Sequence, residues 1–366
     1  GQGGLAWMDF STGHWTGMSG KNVQDLWAWM HKIDPQEIIC PEGLQPAEGS
    51  TDLKDRITWL PERAFFRLQR SRELILEVQS VADLKTLDLE DKPGLVCCCG
   101  ALVAYLKQTQ KQALEHLSQF RPLQLSKHLI LDEVTERNLE LFQRLDGGKG
   151  PGTLWHVLDQ TMTPMGGRLL QERLRHPWRE IKPILRTQAA VELFVRLSAL
   201  RTRIRPELDT VFDLQRLNTR IQLNRCSPKD FVFLRTSLEQ LPKIRQILQE
   251  WADHEQIPEE VNELLSGWDN IEDITHLLAV SLQDTPPQVI TEGGLFRTGY
   301  DSRLDELIDL TEHGEARLKD LLTREQEEHQ LPKLKLGFNR VFGYYFELSR
   351  AHKGPVPDHF IRRQTL

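Results

Sequence analysis

The C-terminal 35 residues, Pro332 to Leu366, concentrate side chains that could bind a polyanion. They carry seven Lys or Arg and two carboxylates, whereas the remainder of the chain holds 39 basic and 51 acidic residues. Cations segregated in this way release counterions when they neutralise phosphates. The alternative is a solvated β-surface that is basic without binding anything. The candidate phosphate contacts are Lys335, Asn339, Arg340, Lys353, Arg362 and Arg363.

Asp9 is a second candidate for chemistry, because it ends a strand-like segment where ribonuclease-H-like nucleases place a metal-binding carboxylate. Two-metal phosphodiester chemistry needs three or four carboxylates converging within about 4 Å of the ions. The other acidic residues of this region do not follow predicted strands in a matching way; they include Glu77, Asp83, Asp88 and Glu90. We therefore favour a turn or capping role for Asp9.

Three further patterns give no catalytic or metal site. A phosphate-binding P-loop requires Ser or Thr after its lysine, but Gly150 follows Lys149, so we interpret Gly147–Gly150 as a linker. The twelve histidines lack His-x-x-x-His spacing, and no Gly-x-Ser-x-Gly motif occurs. No Cys-x-x-Cys pair occurs among the five cysteines, and Cys97–Cys99 lie between apolar residues. The triplet predicts thiols packed in a core in a reducing cytosol.

Up to about residue 110 the pattern predicts alternating strands and helices. Strands are expected at Leu5–Phe10, Trp15–Met18 and Glu37–Pro41, with a helix over Asn22–Lys32 that Asp34-Pro35 ends. This order predicts a small mixed sheet with helices on its faces.

From Ala101 onward helical periodicity dominates, apart from one predicted strand at Lys127–Leu131. Thr163 and Ser227 are predicted N-caps because proline, which suits the first helical position, follows each of them. The glycines and proline of Asp146–Gly152 predict a flexible joint between helical segments.

The last part of the chain predicts a rod with a β-hairpin at its end. Tyr300 to about Gln330 forms one helical pattern, and thirty residues would span about 45 Å. Its apolar stripe includes Leu318, Leu321 and Leu322. Lys335–Asn339 and Tyr344–Leu348 are β-rich on either side of a glycine-containing turn.

The bulk properties fit two or three domains, since 366 residues exceed one compact core. No run of about 18 apolar residues is present, so we expect no membrane partner and a cytoplasmic location. The chain starts with Gly1 and stops at Leu366 without a recognisable end signal, which leads us to expect a fragment.

Six segments resemble, in the same order, bacterial MutS proteins of DNA mismatch repair. GGLAWMDFSTG near the start resembles the first strand of the connector domain, and LKLGFNRVFGYYFELSRAHKGPVPDHFIRRQTL, Leu334–Leu366, resembles the clamp domain. Four segments between them resemble the core and lever: LDEVTERNLELFQ from Leu131, TLWHVLDQTMTPMGGRLLQERLRH from Thr153, FDLQRLNTRIQLNRCSPKDFVFLRTSL from Phe212 and ITEGGLFRTGYDSRLDELIDL from Ile290.

The resemblance implies a multidomain α+β fold. Residues 1–115 would form a ribonuclease-H-like α/β connector without nuclease carboxylates. Residues 116–313 would form a mainly helical core with an ascending lever, and 314–366 part of a small β-rich clamp.

The resemblance also implies a function. Members grip duplex DNA through its phosphates, and by motif position this role falls on Asn339, Arg340, Arg362 and Arg363. It further implies MutL as a partner of the connector and a homodimer of the full-length parent. ATP and Mg²⁺ would serve that parent, and this fragment would have no cofactor and no ATPase activity. Two alternatives stay open: a ribonuclease-H-like metal-dependent nuclease using Asp9, and a protein-docking scaffold that does not bind DNA.

Overall fold

The structure is a computed structural model, and it describes residues 3–46, 51–110, 114, 116–341, 343–349 and 354–361. The chain divides into two compact units, Gly1–Leu295 and Phe296–Leu366. Its strands are β1 (Gly3–Asp9), β2 (His14–Gly20), β3 (Ile38–Pro41), β4 (Ile57–Leu60), β5 (Arg121–Pro122), β6 (Lys335–Asn339) and β7 (Gly343–Glu347).

Helices dominate the rest of the described chain. The α-helices are α1 (Val23–Ile33), α2 (Glu62–Phe65), α3 (Leu68–Gln79), α4 (Pro93–Gln110), α5 (Glu133–Asn138), α6 (Leu154–Leu158), α7 (Pro164–Arg175), α8 (Ile181–Arg196), α9 (Ser198–Asp209), α10 (Leu214–Gln222), α11 (Pro228–Leu238), α12 (Leu241–Ala252), α13 (Glu259–Ser266), α14 (Glu272–Ser281) and α15 (Ser302–Glu328). Short 3₁₀ helices cover Thr51–Arg56, Lys85–Leu87, Leu125–Lys127 and Ile290–Glu292. No helix in the described ranges combines the length and apolar composition needed to cross a membrane.

The N-terminal sheet is small and mixed, as predicted. β1 pairs antiparallel with β2, and β5 adds to β2 in parallel. Leu5 and Met18 are opposite each other and join a buried cluster with α1. Trp15 belongs to a second cluster with α3 and α4, so both faces of the sheet are covered. β3 departs from the prediction, because it pairs with β4 in a separate two-stranded parallel sheet.

Two glycines allow α4 to lie in close contact with its neighbours. A Cβ on Gly4 would lie 2.5 Å from the backbone nitrogen of Leu95, so α4 crosses directly over β1. A Cβ on Gly100 would lie 2.2 Å from the Cβ of Ser71 on α3. The triplet Cys97–Cys99 lies on this helix, and Cys99 is fully buried. Cys97 and Cys98 are half-buried, and burial raises the pKa of the Cys98 thiol to about 12, which keeps this thiol protonated.

The helical part of the first unit has its own core. Leu193 of α8, Ile204 of α9, Ile247 of α12 and Leu265 of α13 belong to one buried cluster. The predicted N-caps are confirmed: the Thr163 hydroxyl accepts a hydrogen bond from the Gly166 amide, and Ser227 forms a capping box at α11.

The predicted strand at Lys127–Leu131 is wrong. Its first residue ends a 3₁₀ helix, and His128 forms only an isolated antiparallel bridge with Trp178. The backbone bonds on either side of this bridge run from Leu129 to Pro177 and from Arg179 to Lys127. The segment is therefore extended, but its partner is the five-residue connection between α7 and α8, and only one bridge forms.

The second unit contains the predicted rod and hairpin. α15 begins at the Asp301 cap, whose carboxylate accepts a hydrogen bond from the Leu304 amide. Its 27 residues span about 40 Å. None of the residues of α15 is buried, and Leu321 of its apolar stripe is exposed.

Candidate nucleic-acid interface

The hairpin of β6 and β7 places a turn at the far end of two short strands. Asn339 pairs with Gly343, and Lys335 pairs with Glu347 at the base. The Asn339 side-chain oxygen accepts a hydrogen bond from the Val341 amide at 2.9 Å, which shapes the tip as an Asx turn. Gly343 has φ 73°, a left-handed conformation that favours glycine at the return into β7.

The structure separates the predicted phosphate contacts instead of clustering them. Asn339 and the exposed Arg340 lie at the tip, whereas Lys335 lies at the base, about 14 Å away at ~3.4 Å per residue. Lys335 is also opposite the carboxylate of Glu347, which reduces its local positive potential. Lys353, Arg362 and Arg363 lie outside the described residues. Among the candidate residues that the structure describes, Arg340 at the tip is therefore better placed than Lys335 to reach a phosphate.

Aromatic rings hold this small hairpin together. Phe338 and Tyr344 lie across the strands with ring centroids 4.9 Å apart, and Phe346 stacks on Phe360 at 5.5 Å. Tyr345 lies over Gly337, where a Cβ would come within 2.6 Å of its ring. A two-stranded hairpin buries little, so these pairs supply its packing.

Charge is strongly segregated within the second unit. α15 carries nine Asp or Glu and four Lys or Arg, whereas residues 332–366 carry two and seven respectively. The helix would repel a polyanion and the module after it would attract one. The charge contrast therefore makes the module after α15, and not α15 itself, the candidate surface for a polyanion.

Asp9 has the predicted turn role. Its carboxylate accepts hydrogen bonds from the Ser11 amide at 2.9 Å and the Ser11 hydroxyl at 2.7 Å. Burial alone would raise the pKa of Asp9, but the bonds from Ser11 and Thr12 outweigh burial and lower it. The described part of the chain holds one group of three potential metal ligands, Glu325, His329 and His359, and Asp9 is not a member.

The glycine-rich loop after α5 is a closed turn. The Asp146 carboxylate accepts hydrogen bonds from the Gly148 amide at 2.9 Å and the Arg144 guanidinium at 3.1 Å. The Arg144 amide donates to the Gly148 carbonyl at 2.8 Å. The loop thus folds back on its own arginine in the connection between α5 and α6.

A polar junction that sequence reasoning missed joins the N-terminal α/β region to the helical region. The Lys32 ammonium at the end of α1 donates to the Leu131 carbonyl at 3.2 Å and the Arg175 carbonyl at 3.1 Å. It also forms an ion pair with Glu136 at 2.6 Å, a contact without hydrogen-bond alignment. Both side chains are largely buried, so the pair depends on this junction being closed.

Two further contacts extend this junction. His176, at the end of α7, stacks on Trp29 at 5.5 Å, and its carbonyl lies 2.9 Å from Nδ1 of His128. Burial, reinforced by the charge of Lys32, lowers the pKa of His176 to about 4. Within the helical region, Arg168 of α7 forms a bidentate pair with the Asp213 cap of α10, with both N–O distances 2.7 Å. A cleft of about 1510 Å³ runs along this junction, lined by both regions.

Comparison with known proteins defines the class of protein to which these parts belong. The family model for MutS domain II matches residues 1–118, and the model for MutS domain III matches residues 134–336. The chain therefore belongs to the MutS family, as the resemblance predicts.

Individual relatives agree with the family models. The chain is 53% identical over 376 residues to the DNA mismatch repair protein MutS of Nitratidesulfovibrio vulgaris strain Hildenborough. It is 52% identical over 378 residues to that of Oleidesulfovibrio alaskensis and 46% identical over 377 residues to that of Lawsonia intracellularis. Each alignment covers all of this chain and 42% of the relative, so the chain spans about two fifths of their length.

Proposed function

We propose that this chain is the part of a mismatch repair protein that grips duplex DNA by its backbone, without reading sequence. The observation that supports the proposal is an exposed Arg340 at the tip of a basic hairpin module that follows an acidic helix. Cations at a protruding tip can reach phosphates, whereas base readout requires an element inserted in a groove. Lys335, Asn339, Lys353, Arg362 and Arg363 complete the proposed contact set.

We assign a role to each of the three domains predicted from the sequence. We assign residues 1–115 to a ribonuclease-H-like connector, 116–313 to the core with its lever, and 314–366 to the clamp. The Lys32–Glu136 ion pair supports a coupling role for the connector, because it joins α1 to α5 across that boundary. MutL is the proposed partner of the connector. Homodimer formation, ATP and Mg²⁺ belong to the longer protein, which we place in the cytoplasm with its DNA.

Duplex DNA binding measured by fluorescence anisotropy at low and high salt tests this function. We expect weak binding that falls with salt and is indifferent to a mismatch. Each lost phosphate contact should reduce the log–log salt slope by about 0.9. Arg340→Ala, and separately Arg362→Ala with Arg363→Ala, should therefore weaken binding and flatten its salt dependence.

The matched control is Arg303→Ala, because Arg303 is an exposed arginine that pairs with Glu306 in the first turn of the acidic α15. It removes one positive charge from the same unit but should leave DNA binding unchanged. Equal affinities for the parent chain and the tip variants would contradict backbone binding by the hairpin, and would favour the protein-docking scaffold.

A further inference from the structure

The end of α15 and the segment after the hairpin bring together three side chains that can bind a metal ion. Glu325 and His329 are one helical turn apart, and His359 approaches them from 34 residues further along the chain. Glu325 Oε2 lies 3.1 Å from Nε2 of His359 and 3.5 Å from Nε2 of His329. The ligand atoms of all three residues lie within 4.8 Å of one another.

These separations suit a zinc-type ion. Zn²⁺ binds imidazole nitrogen and carboxylate oxygen at about 2.0–2.2 Å in tetrahedral sites, so two of its ligand atoms lie roughly 3.4 Å apart. Both measured distances from Glu325 are close to that value. Two histidines and one glutamate also form a common three-ligand set for zinc, with solvent in the fourth position.

The surroundings favour a cation at this place. Glu325 and His329 occupy the C-terminal end of a 27-residue helix, where the last carbonyls carry partial negative charge. The Glu325 side chain is only 15% exposed, so its charge is poorly screened by water. The His329 and His359 rings lie 5.2 Å apart, centroid to centroid, and the Nε2 atom of each lies within 3.5 Å of the same Glu325 carboxylate oxygen.

Packing positions the three ligands before any ion arrives. The Phe360 ring contacts His359 edge-on at 4.7 Å and stacks on Phe346 of β7. The Gln326 amide donates to the Leu334 carbonyl at 2.8 Å, which fixes the end of α15 against the start of the hairpin. Leu331 and Leu334, between the helix and β6, are both buried. Preorganisation of this kind reduces the ordering that binding would otherwise require.

We propose that Glu325, His329 and His359 bind one borderline transition-metal ion of the Zn²⁺ class. The ion would fasten the segment after the hairpin to the end of α15. Ca²⁺ and Mg²⁺ prefer all-oxygen ligand sets and should not occupy the site. The sequence predicts no metal site, because it has no Cys-x-x-Cys pair, no carboxylates placed to converge and no His-x-x-x-His spacing. Glu325-x-x-x-His329 was visible in the sequence, but the third ligand arrives through the hairpin.

Cobalt substitution on the untagged 366-residue chain tests the site. Co²⁺ should give visible absorption bands typical of tetrahedral nitrogen and oxygen ligands, saturating at one equivalent, and Zn²⁺ should abolish them. His329→Gln and His359→Gln should each weaken Zn²⁺ affinity by at least about tenfold, since even outer-shell partners contribute that much. Mg²⁺ should not compete.

His313→Gln is the matched control, because His313 also pairs with a carboxylate one turn away on α15, Asp309, at 3.0 Å. Zn²⁺ affinity should be unchanged in that variant. Helix content measured by circular dichroism without metal shows whether each variant is folded, and Glu325→Gln provides a third ligand variant. Unchanged Zn²⁺ affinity in folded His359→Gln, or the absence of cobalt bands in the parent chain, would overturn the proposal.

Discussion

The His176 imidazole lies at the junction between the N-terminal α/β region and the helical region. It is largely buried against Trp29, and the charged groups that face it are Lys32 and Arg175, with His128 nearby. Burial and these positive charges all disfavour the imidazolium, so His176 is neutral in the folded chain at physiological pH. The junction thus requires a neutral histidine next to a buried lysine.

This requirement predicts a loss of stability in acid. The pKa of His176 is about 4 when folded and 6.5 when unfolded, so between these values the unfolded chain binds one more proton. The stabilisation is complete above pH ~6.5 and is lost as pH falls towards ~4. Between pH 7 and pH 5 this histidine should cost about 2 kcal/mol of unfolding free energy.

Urea unfolding followed by tryptophan fluorescence checks this prediction. His176→Phe keeps a ring against Trp29 but cannot be protonated, so its stability should fall less between pH 7 and pH 5 than that of the parent chain. His14→Gln removes an exposed histidine at the start of β2 and should leave the pH dependence unchanged. Parallel pH curves for His176→Phe and the parent chain would show that another group causes the loss.

At the residue scale, local chemistry was predictable and distant contacts were not. The turn role of Asp9 and the cap role of Thr163 depend on neighbours two or three positions away, so their sequence context was sufficient. Lys32 contacts Leu131 and Arg175, 99 and 143 residues away, and nothing in the residues around Lys32 signals those partners. Arg340 was predicted as an exposed cation because a hairpin tip is exposed wherever the hairpin lies.

At the element scale, Gly314 is the weak point of α15. It lies in the middle of the helix, and a Cβ built there would meet no atom within 4 Å. Glycine in a helix interior is less stable than alanine because of the freedom it gains on unfolding. Gly314→Ala should therefore stabilise the helix by about 0.5–1 kcal/mol, measured by thermal unfolding and by slower amide exchange around residue 314.

Gly337→Ala in strand β6 should have the opposite effect and destabilise the chain. Its Cβ would approach the Tyr345 ring to 2.6 Å, so the hairpin must move or lose that contact. The two substitutions are chemically identical and should have opposite signs. A destabilised Gly314→Ala variant would indicate that α15 bends at this glycine in the folded chain.

The elements predicted most reliably were those whose regular pattern extends over many residues or includes a clear turn. α15 and the β6–β7 hairpin lie where the pattern placed them, because 27 residues of helical spacing and a glycine-containing turn between aromatic runs leave few alternatives. Lys127–Leu131 is apolar and short, and such a segment becomes a strand only if a partner strand is available. The partner here is the short connection around Trp178, so a single bridge forms.

At the scale of the whole molecule, compactness and charge divide the chain at different places. The chain divides into its compact units between Leu295 and Phe296, whereas its charge changes sign within the second unit, between the acidic α15 and residues 332–366. Sequence composition could predict the charge contrast, because it needs only counting. It could not predict the division at residue 295, which depends on which segments contact each other.

The segment before this division should be the site where proteolysis begins. Val289 and Ile290 are exposed, and Gly293 and Gly294 follow with φ 75° and 70°. Exposed segments of this kind are cut first, whereas the glutamates of α15 are protected by helical hydrogen bonds.

A glutamyl endopeptidase at low concentration should therefore cut first after the exposed Glu292, and mass spectrometry of the early products would locate the cut. Residues 1–292 contain the buried clusters of the first unit and should remain folded, whereas Glu292→Gln should remove this cleavage. First cuts within residues 306–328 would instead show that α15 opens more readily than the segment preceding it.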